Sequence, residues 1–337
     1  MWENKVFIIA ELSANHNNDF ELAEKTIHAM AEAGADAVKI QTFKPQSLSI
    51  DVDNPYFGPK KDGLWKGMRP YDLYVQASMP YEWQPKLKEI AENLGLVFFS
   101  SPFDFEAVDF LEKMNVPAYK VASLEISDIP LIRYIAEKGK PVIISSGASS
   151  LSDLELALNT CRKVGNEQVA FLKCTSEYPA PFEAANLRTI PNMIETFGIT
   201  VGVSDHTMGS TVPVVSVALG AKIIEKHFIL DRSLGGPDST FSMEPSEFKD
   251  MVTAVREAEK AIGKVSYSLK EKDEERRRSL FVSQDVEQGE TITVENIRSV
   301  RPGYGLHPRH YETLLGKRFK QAVAKGTPLS FNLIDWE

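Results

Sequence analysis

The amino-acid sequence predicts an α/β protein, in which a (β/α)8 TIM barrel is followed by a small, mostly β domain. Eight short runs rich in Val, Ile, Leu and Phe recur up to residue 228, and helical patterns separate them. The predicted strands are 6–12, 36–43, 96–103, 118–123, 141–147, 169–175, 200–206 and 222–228. Eight strands that alternate with helices are the pattern of this barrel.

The stretches between the strands carry apolar residues three and four positions apart, which gives a helix one buried face. We predict helices at 20–35, 81–95, 128–139, 152–165 and 247–263. Several of these stretches end in Gly or Lys-Gly, as helices commonly do.

The predicted strands are nearly continuous in apolar residues and do not alternate with polar ones. Strands that are buried on both faces have this composition, so we expect a parallel sheet. An open, doubly wound sheet is the alternative. The first predicted strand is not followed by the glycine-rich fingerprint of dinucleotide binding, which counts against that alternative.

The character of the sequence changes after the last predicted helix. The stretch 268–278 is charged and poor in apolar residues, as in a linker or a solvated helix. Beyond it, short β-type runs are joined by Gly-containing turns. We therefore predict a catalytic barrel at 1–264, a linker at 265–278 and a C-terminal domain at 279–337.

Composition limits the classes of partner. The 337-residue chain is 43% hydrophobic and 25% charged with a net charge of −9, so we expect no binding to nucleic acid or to an anionic membrane. No apolar stretch approaches the roughly 18–20 residues of a membrane-spanning helix. Two cysteines provide no disulfide framework and favour a cytoplasmic location, and we interpret Cys174 as a small buried hydrophobe.

Polar residues stand at the carboxyl ends of all eight predicted strands, where barrels of this type carry their reactive groups. They include Glu11, Lys39, Gln41, Ser101, Lys120, Ser123, Glu125, Ser145, Ser176, Tyr178, Ser204, His206, Glu225 and His227. An unpaired buried polar group is costly, so a full set of them predicts a wet, ligand-filled mouth.

Two histidines, His206 and His227, end neighbouring predicted strands. Their imidazoles can converge on a divalent ion such as Mn²⁺, Zn²⁺ or Co²⁺ and leave positions open for water or substrate. The alternative is a pair of histidines that serve only packing or hydrogen bonding.

Lys39 and Lys120 end apolar strands amid hydroxyl groups. With nearby serines they would cradle a phosphate or carboxylate. A Schiff-base lysine in a metal-free aldolase and a lysine that reaches solvent are the alternatives. Lys173 stands two residues before its strand end, so we expect it on the other face.

The sequence resembles the sialic acid synthase family of bacteria over essentially the whole chain, because many motifs occur in the order that is found in that family. They are AELSANHN, VKIQTF, FSSPF, AYKVASLE, SSG, KCTSEYP, VGVSDHT, EKHF and GPDSTFSM. The stretch ENIRSVRPGYGLHP (295–308) resembles the antifreeze-like (SAF) domain of that family. SANHN, DGLWKGMRPYDLY (62–74) and LHPRHYETLLGK are most similar to the pseudaminate-forming branch, although the neuraminate and legionaminate branches share the core motifs.

The resemblance implies a transferase that condenses phosphoenolpyruvate with 2,4-diacetamido-2,4,6-trideoxy-L-altrose and water to give pseudaminate and phosphate. It implies catalytic roles for Glu11, Glu125 and Lys120. It implies phosphoenolpyruvate binding by Lys39, Ser101, Lys120, Ser123, Ser145, Ser176 and Ser204. It implies sugar binding by Gln41, Glu125, Tyr178, Asp238, Arg301 and Tyr71.

The resemblance also implies that His206 and His227 bind a metal, Mn²⁺ first, with Mg²⁺ or Co²⁺ as alternatives. Arg301 would reach the active site of a partner subunit in a homodimer with swapped SAF domains. The neuraminate branch has Asn at the position of Ser176, so that contact to phosphoenolpyruvate differs here. The deoxygenated end of the sugar calls for an apolar contact, for which Trp65, Tyr71 and Tyr74 are candidates.

Overall fold

The computed structural model describes residues 5–336 and divides the chain into two compact units, one ending at Gly263 and one beginning at Lys264. In the first unit, eight parallel strands form a closed barrel in sequence order. The strands are β1 Phe7–Glu11, β2 Ala37–Thr42, β3 Val97–Pro102, β4 Tyr119–Val121, β5 Val142–Ser145, β6 Val169–Cys174, β7 Thr200–Asp205 and β8 Ile223–His227. The predicted barrel is confirmed, and each predicted run contains one strand.

Helices connect the strands of the barrel and cover its outside. They are α1 Phe20–Glu32, α2 Pro45–Leu48, α3 Pro70–Ala77, α4 Gln84–Asn93, α5 Phe105–Lys113, α6 Ile129–Ala136, α7 Leu151–Lys163, α8 Thr189–Phe197, α9 Thr211–Ala218 and α10 Pro245–Ile262. Caps mark several starts: the Asp19 carboxylate accepts from the Leu22 amide at α1, and Ser150 forms a capping box with Asp153 at α7. Five helices lack a long enough apolar period to be predicted from sequence, and all are shorter than ten residues: α2, α3, α5, α8 and α9.

The strands are buried on both faces, which explains their continuous apolar composition. One set of side chains, including Ile9, Phe99 and Leu172, fills the inside of the barrel. The alternate set, including Ile8 and Phe98, packs against the helices. The polar strand ends at the carboxyl edge are therefore the part of the barrel free to line a cavity.

A buried ion pair ties β7 to β8. The Lys226 ammonium, fully shielded from solvent, lies 2.5 Å from Asp205 Oδ2 and also donates to the carbonyl of Thr207. The other oxygen of Asp205 accepts from the Thr207 amide at 2.9 Å. Burial lowers the pKa of Lys226, and Asp205 opposes that shift. These bonds hold the chain on both sides of His206.

The second unit has its own small core and contains short antiparallel sheets. One pairs β9 Ser279–Val282 with β10 Ile297–Val300, and another pairs β11 Arg318–Phe319 with β12 Ile334–Asp335. Two short helices, α11 Glu271–Glu275 and α12 Tyr311–Leu314, complete the unit, and α11 lies in the stretch that the sequence predicts as a linker. Leu280, Ile292 and Phe319 are among its buried residues. Across residues 5–336, no helix has the length and apolar character to cross a membrane.

Replacing Lys226 by Met should destabilise the barrel by about 3–5 kcal/mol, because it leaves the Asp205 carboxylate buried without its cation. Urea unfolding followed by circular dichroism measures the change. Lys25→Met is the control, since Lys25 pairs with Glu21 at the surface of α1 and its loss should change stability little. Equal stability of the two variants would show that the buried pair contributes no more than a surface pair.

Candidate active site

A cavity of about 370 Å³ opens at the carboxyl ends of the barrel strands. Twelve of the site residues predicted from sequence line it. They are Lys39, Gln41, Lys120, Ser123, Glu125, Ser145, Ser176, Tyr178, Ser204, His206, His227 and Asp238. The structure therefore brings residues from six of the eight strand ends, those of β2 and of β4 to β8, together with Asp238, around one space.

Four other predicted site residues do not line this cavity. Glu11 and Ser101 are buried behind it, where both contact the Lys39 ammonium. Tyr71 lies on α3, whose neighbouring residues Leu73 and Tyr74 do line the cavity. Arg301 belongs to the second unit.

Lys39 is held between two buried carboxylates. Its ammonium contacts Glu11 and lies 3.9 Å from Glu225 Oε2. Burial raises the pKa of Glu11 to about 7, although Lys39 opposes the shift. Burial acts the same way on Glu225, but Lys120 and Lys39 outweigh it and lower its pKa. Glu225 is therefore ionised at neutral pH, while Glu11 can exchange a proton there.

Lys120 has a different environment from Lys39. Its ammonium donates to Ser145 Oγ at 2.7 Å and to the Val121 carbonyl at 2.8 Å. In the described part of the chain, no carboxylate lies within the 4 Å of an ion pair to Lys120. Burial lowers its pKa. A buried cation bonded only to neutral groups, with Ser123 beside it in the cavity lining, is suited to an anionic ligand.

The rings of His206 and His227 lie 5.3 Å apart between centroids. His206 Nδ1 is 2.8 Å from the Thr175 carbonyl, so Nδ1 carries the proton and Nε2 keeps its lone pair when the ring is neutral. His227 Nδ1 is buried without a hydrogen-bond partner, and burial lowers the pKa of His227 well below its usual value. Both imidazoles thus fit the role of metal ligands.

No group of three or more His, Cys, Asp or Glu side chains among the described residues is arranged to hold a metal ion. Asp238 Oδ2 lies 3.9 Å from His227 Nδ1 and instead accepts from Ser13 Oγ. An ion at the two histidines would therefore take its remaining ligands from water or substrate.

Ser13 is a cavity residue that the sequence analysis did not identify. Its hydroxyl donates to Asp238 Oδ2 at 2.5 Å and accepts from Gln41 Nε2 at 2.9 Å, so it joins two predicted sugar-binding residues. Its backbone has φ of 48°, in the left-handed region that is costly for serine. The residue types in the motif do not predict this left-handed backbone conformation.

Cys174 is buried as predicted, but it is more than a hydrophobe. Its sulfur lines the cavity and accepts from Ser123 Oγ at 3.3 Å. Burial alone would raise the pKa of this thiol, yet hydrogen bonding to His206 and the charge of that ring bring it to about 7. Lys173, by contrast, donates to Thr175 on the other side of β6, as expected.

The connection between β2 and β3 supplies an apolar wall to the cavity. Leu48, Leu73 and Tyr74 line this side, and Trp65 stands 5.9 Å from the ring of Tyr178. The cavity thus combines a cationic floor with an apolar wall. This arrangement can hold a small anion beside a polar molecule that carries apolar groups.

Comparisons with known proteins assign the chain to a family. The model of the NeuB family matches residues 26–267, and the model of the SAF domain matches residues 277–335. The pseudaminic acid synthase of Campylobacter jejuni is 46% identical over 97% of this chain and 96% of its own length. The N,N'-diacetyllegionaminic acid synthase of Legionella pneumophila is 36% identical over 98% of this chain and 94% of its own.

A solved structure supports the same assignment. The N-acetylneuraminic acid synthetase of Leptospira borgpetersenii is 33% identical, and it superposes with a TM-score of 0.72 over 81% of this chain and 90% of its own. The family model alone covers more than half of the sequence. The chain therefore belongs to the NeuB family of sialic acid synthases and carries a C-terminal SAF domain.

Proposed function

We propose that the protein is a pseudaminic acid synthase. It condenses phosphoenolpyruvate with 2,4-diacetamido-2,4,6-trideoxy-L-altrose and water, and it releases pseudaminate and phosphate. The observation that carries this proposal is the 46% identity, over nearly the whole chain, to a pseudaminic acid synthase, against 36% to a legionaminic acid synthase.

Phosphoenolpyruvate binds at the cationic floor of the cavity in this proposal. Lys120 has no carboxylate partner among the described residues and is free to pair with the substrate's anionic groups. Ser123, Ser145, Ser176 and Ser204 line the same space and donate hydrogen bonds. Lys39 and Ser101 lie just behind them and contribute positive charge and support.

The metal is a divalent ion at His206 and His227, with Mn²⁺ as the first choice and Mg²⁺ or Co²⁺ as alternatives. The lone pair that His206 Nε2 keeps when the ring is neutral and the unpartnered Nδ1 of His227 support this assignment. When bound, the ion supplies Lewis-acid polarisation of the sugar's aldehyde oxygen.

The remaining chemistry belongs to the side chains. The methylene carbon of phosphoenolpyruvate forms a bond to the aldehyde carbon, and the aldehyde oxygen takes up a proton to become a hydroxyl. Water adds to the carbon of phosphoenolpyruvate that carries the phosphate and gives up a proton. The bond between that carbon and the phosphate oxygen then breaks, the added oxygen loses its second proton and becomes the keto oxygen, and phosphate leaves. Glu11, with a pKa raised by burial to about 7, lies behind the cavity in contact with Lys39 and Gln41, and we propose that it exchanges its proton with the cavity through these two side chains. Glu125, whose pKa burial also raises, lines the cavity as a second acid or base. Lys39 and Lys120 neutralise the leaving phosphate.

The sugar occupies the space between the polar strand ends and the apolar wall. Gln41 and Asp238, which Ser13 holds together, are positioned to bind its hydroxyl and amide groups, and Tyr178 packs beside them. Tyr71 on α3 is proposed to contribute from the edge of the wall.

We further propose a cytoplasmic homodimer in which SAF domains are exchanged and Arg301 of one subunit binds the sugar in the other. Both cysteines are free thiols, which suits a reducing compartment. Arg301 lies in the second unit, in the stretch that resembles the SAF domain.

Phosphate release from phosphoenolpyruvate with Mn²⁺ tests the function directly. We expect release with the diacetamido-trideoxy-altrose at a kcat/KM about 100-fold or more above that with N-acetylmannosamine. The reason is that the proposed site binds two acetamido groups, and N-acetylmannosamine has only one. The legionaminate precursor is the closer competitor. Preference for either competitor would keep the family and overturn the branch.

Metal binding has a readout that does not depend on turnover. Titration calorimetry with Mn²⁺ should show an affinity loss of at least about 100-fold in His206→Ala and in His227→Ala. His28→Ala is the control, because His28 is exposed on α1 and away from the cavity. Unchanged Mn²⁺ affinity in both site variants would place the metal elsewhere.

Complementation tests the exchanged dimer. Arg301→Ala and His206→Ala should each be nearly inactive alone. In a co-expressed mixed dimer, one barrel with intact histidines would meet the intact Arg301 of the partner chain, so activity should return. If purified mixed dimers stay inactive, Arg301 does not act across subunits.

A further inference from the structure

We propose that Lys60 and Trp65 form an amide-binding subsite that recognises the acetamido group on carbon 4 of the sugar. This inference rests on the proposed function and deepens it. Both residues lie in the connection between β2 and β3, and both line the cavity.

Lys60 is a cation that lacks an acidic partner among residues 5–336. Its ammonium lies 4.6 Å from the centre of the Trp65 ring, and no ion pair to a carboxylate is formed. The side chain is half-buried, and burial lowers its pKa. A partly desolvated ammonium on the wall of a cavity gains most from a ligand that offers a hydrogen-bond acceptor.

The loop holds the backbone of Lys60 and the side chain of Trp65 in place. The Lys60 amide donates to the Met68 carbonyl at 3.0 Å, and the Gly67 amide donates to the Lys60 carbonyl at 2.8 Å. The Trp65 indole donates to the Pro237 carbonyl at 3.0 Å, next to Asp238. The subsite is therefore formed before a ligand arrives, which reduces the entropy cost of binding.

Ring positions relate this subsite to the proposed reaction centre. The ring of Tyr178 lies 4.4 Å from His206 and 5.9 Å from Trp65, so Trp65 stands one aromatic ring beyond the imidazole. In an open-chain sugar whose aldehyde lies at the histidines, the acetamido group on carbon 2 stays near that end. Carbon 4 lies three bonds from the aldehyde carbon, roughly 4 Å away, and its acetamido group extends toward Trp65 and Lys60.

An acetamido group matches both members of the pair. Its carbonyl oxygen is an acceptor for the Lys60 ammonium, and its methyl group can pack on the indole of Trp65. A hydroxyl at carbon 4 would leave the aromatic surface uncovered. Phosphoenolpyruvate is the less suitable ligand here, because Lys120 and its serines already form an anion site on the strand ends.

The test compares the wild type and three variants on two sugars. Lys60→Met keeps the apolar stem on Trp65 and removes the donor, and Lys61→Met is the control at the exposed neighbouring lysine. Each is assayed with the diacetamido sugar and with its analogue that carries a hydroxyl at carbon 4. The analogue is measured as a substrate or, if it does not turn over, by its inhibition constant.

For wild type and Lys61→Met we expect the diacetamido sugar to be preferred by about tenfold or more, the size of one good polar contact with its packing. Lys60→Met should lose most of that preference, with the KM for phosphoenolpyruvate unchanged within about twofold and the melting temperature unaltered. Trp65→Leu should reduce the same preference.

Three results for Lys60→Met would overturn the subsite while leaving the proposed function in place. They are an equal loss of activity with both sugars, a raised KM for phosphoenolpyruvate, and an unchanged preference for the diacetamido sugar. Absence of wild-type activity with the diacetamido sugar would instead overturn the proposed function, and the subsite with it.

Discussion

Closure of the sheet by pairing of β1 with β8 is the constraint on which the candidate site depends. In this register Glu11 lies beside His227 on one side and beside Lys39 of β2 on the other. Residues from opposite ends of the barrel sequence thereby share one edge. Because a slip of one residue would turn every side chain to the opposite face, the register also decides which groups meet in the cavity. The buried pair of Lys226 with Asp205 reinforces the register beside both histidines.

Buried charge divides this edge into two chemically distinct parts. Around Lys39, two carboxylates compete for one ammonium, which leaves a group able to hold or release a proton near neutral pH. Around Lys120, the partners are a hydroxyl and a carbonyl, which leaves positive charge available to a ligand. This local division explains how a protein with a net charge of −9 can bind an anionic substrate.

The barrel and most of the cavity lining could be predicted from sequence, because both follow from the pattern of apolar residues and from the position of polar residues at the strand ends. Continuous apolar runs predict buried strands, and the polar residues that end those runs must meet at one edge of a parallel barrel. Ser13 and Lys60 could not be found in this way. The role of Ser13 depends on a left-handed backbone, and that of Lys60 on the path of a long connection whose fold is set by tertiary contacts such as Trp65 with Pro237.

The strand ends and the long connection thus carry different parts of the proposed function. Strand ends are held by the hydrogen bonds of the barrel and cannot move far, which suits groups that must meet phosphoenolpyruvate and a metal with precision. The connection between β2 and β3 is tied down by a few local bonds, so its side chains can differ without disturbing the sheet. We infer that the barrel sets the condensation and holds most of the sugar, while this connection adds selectivity for the group on carbon 4 of the sugar.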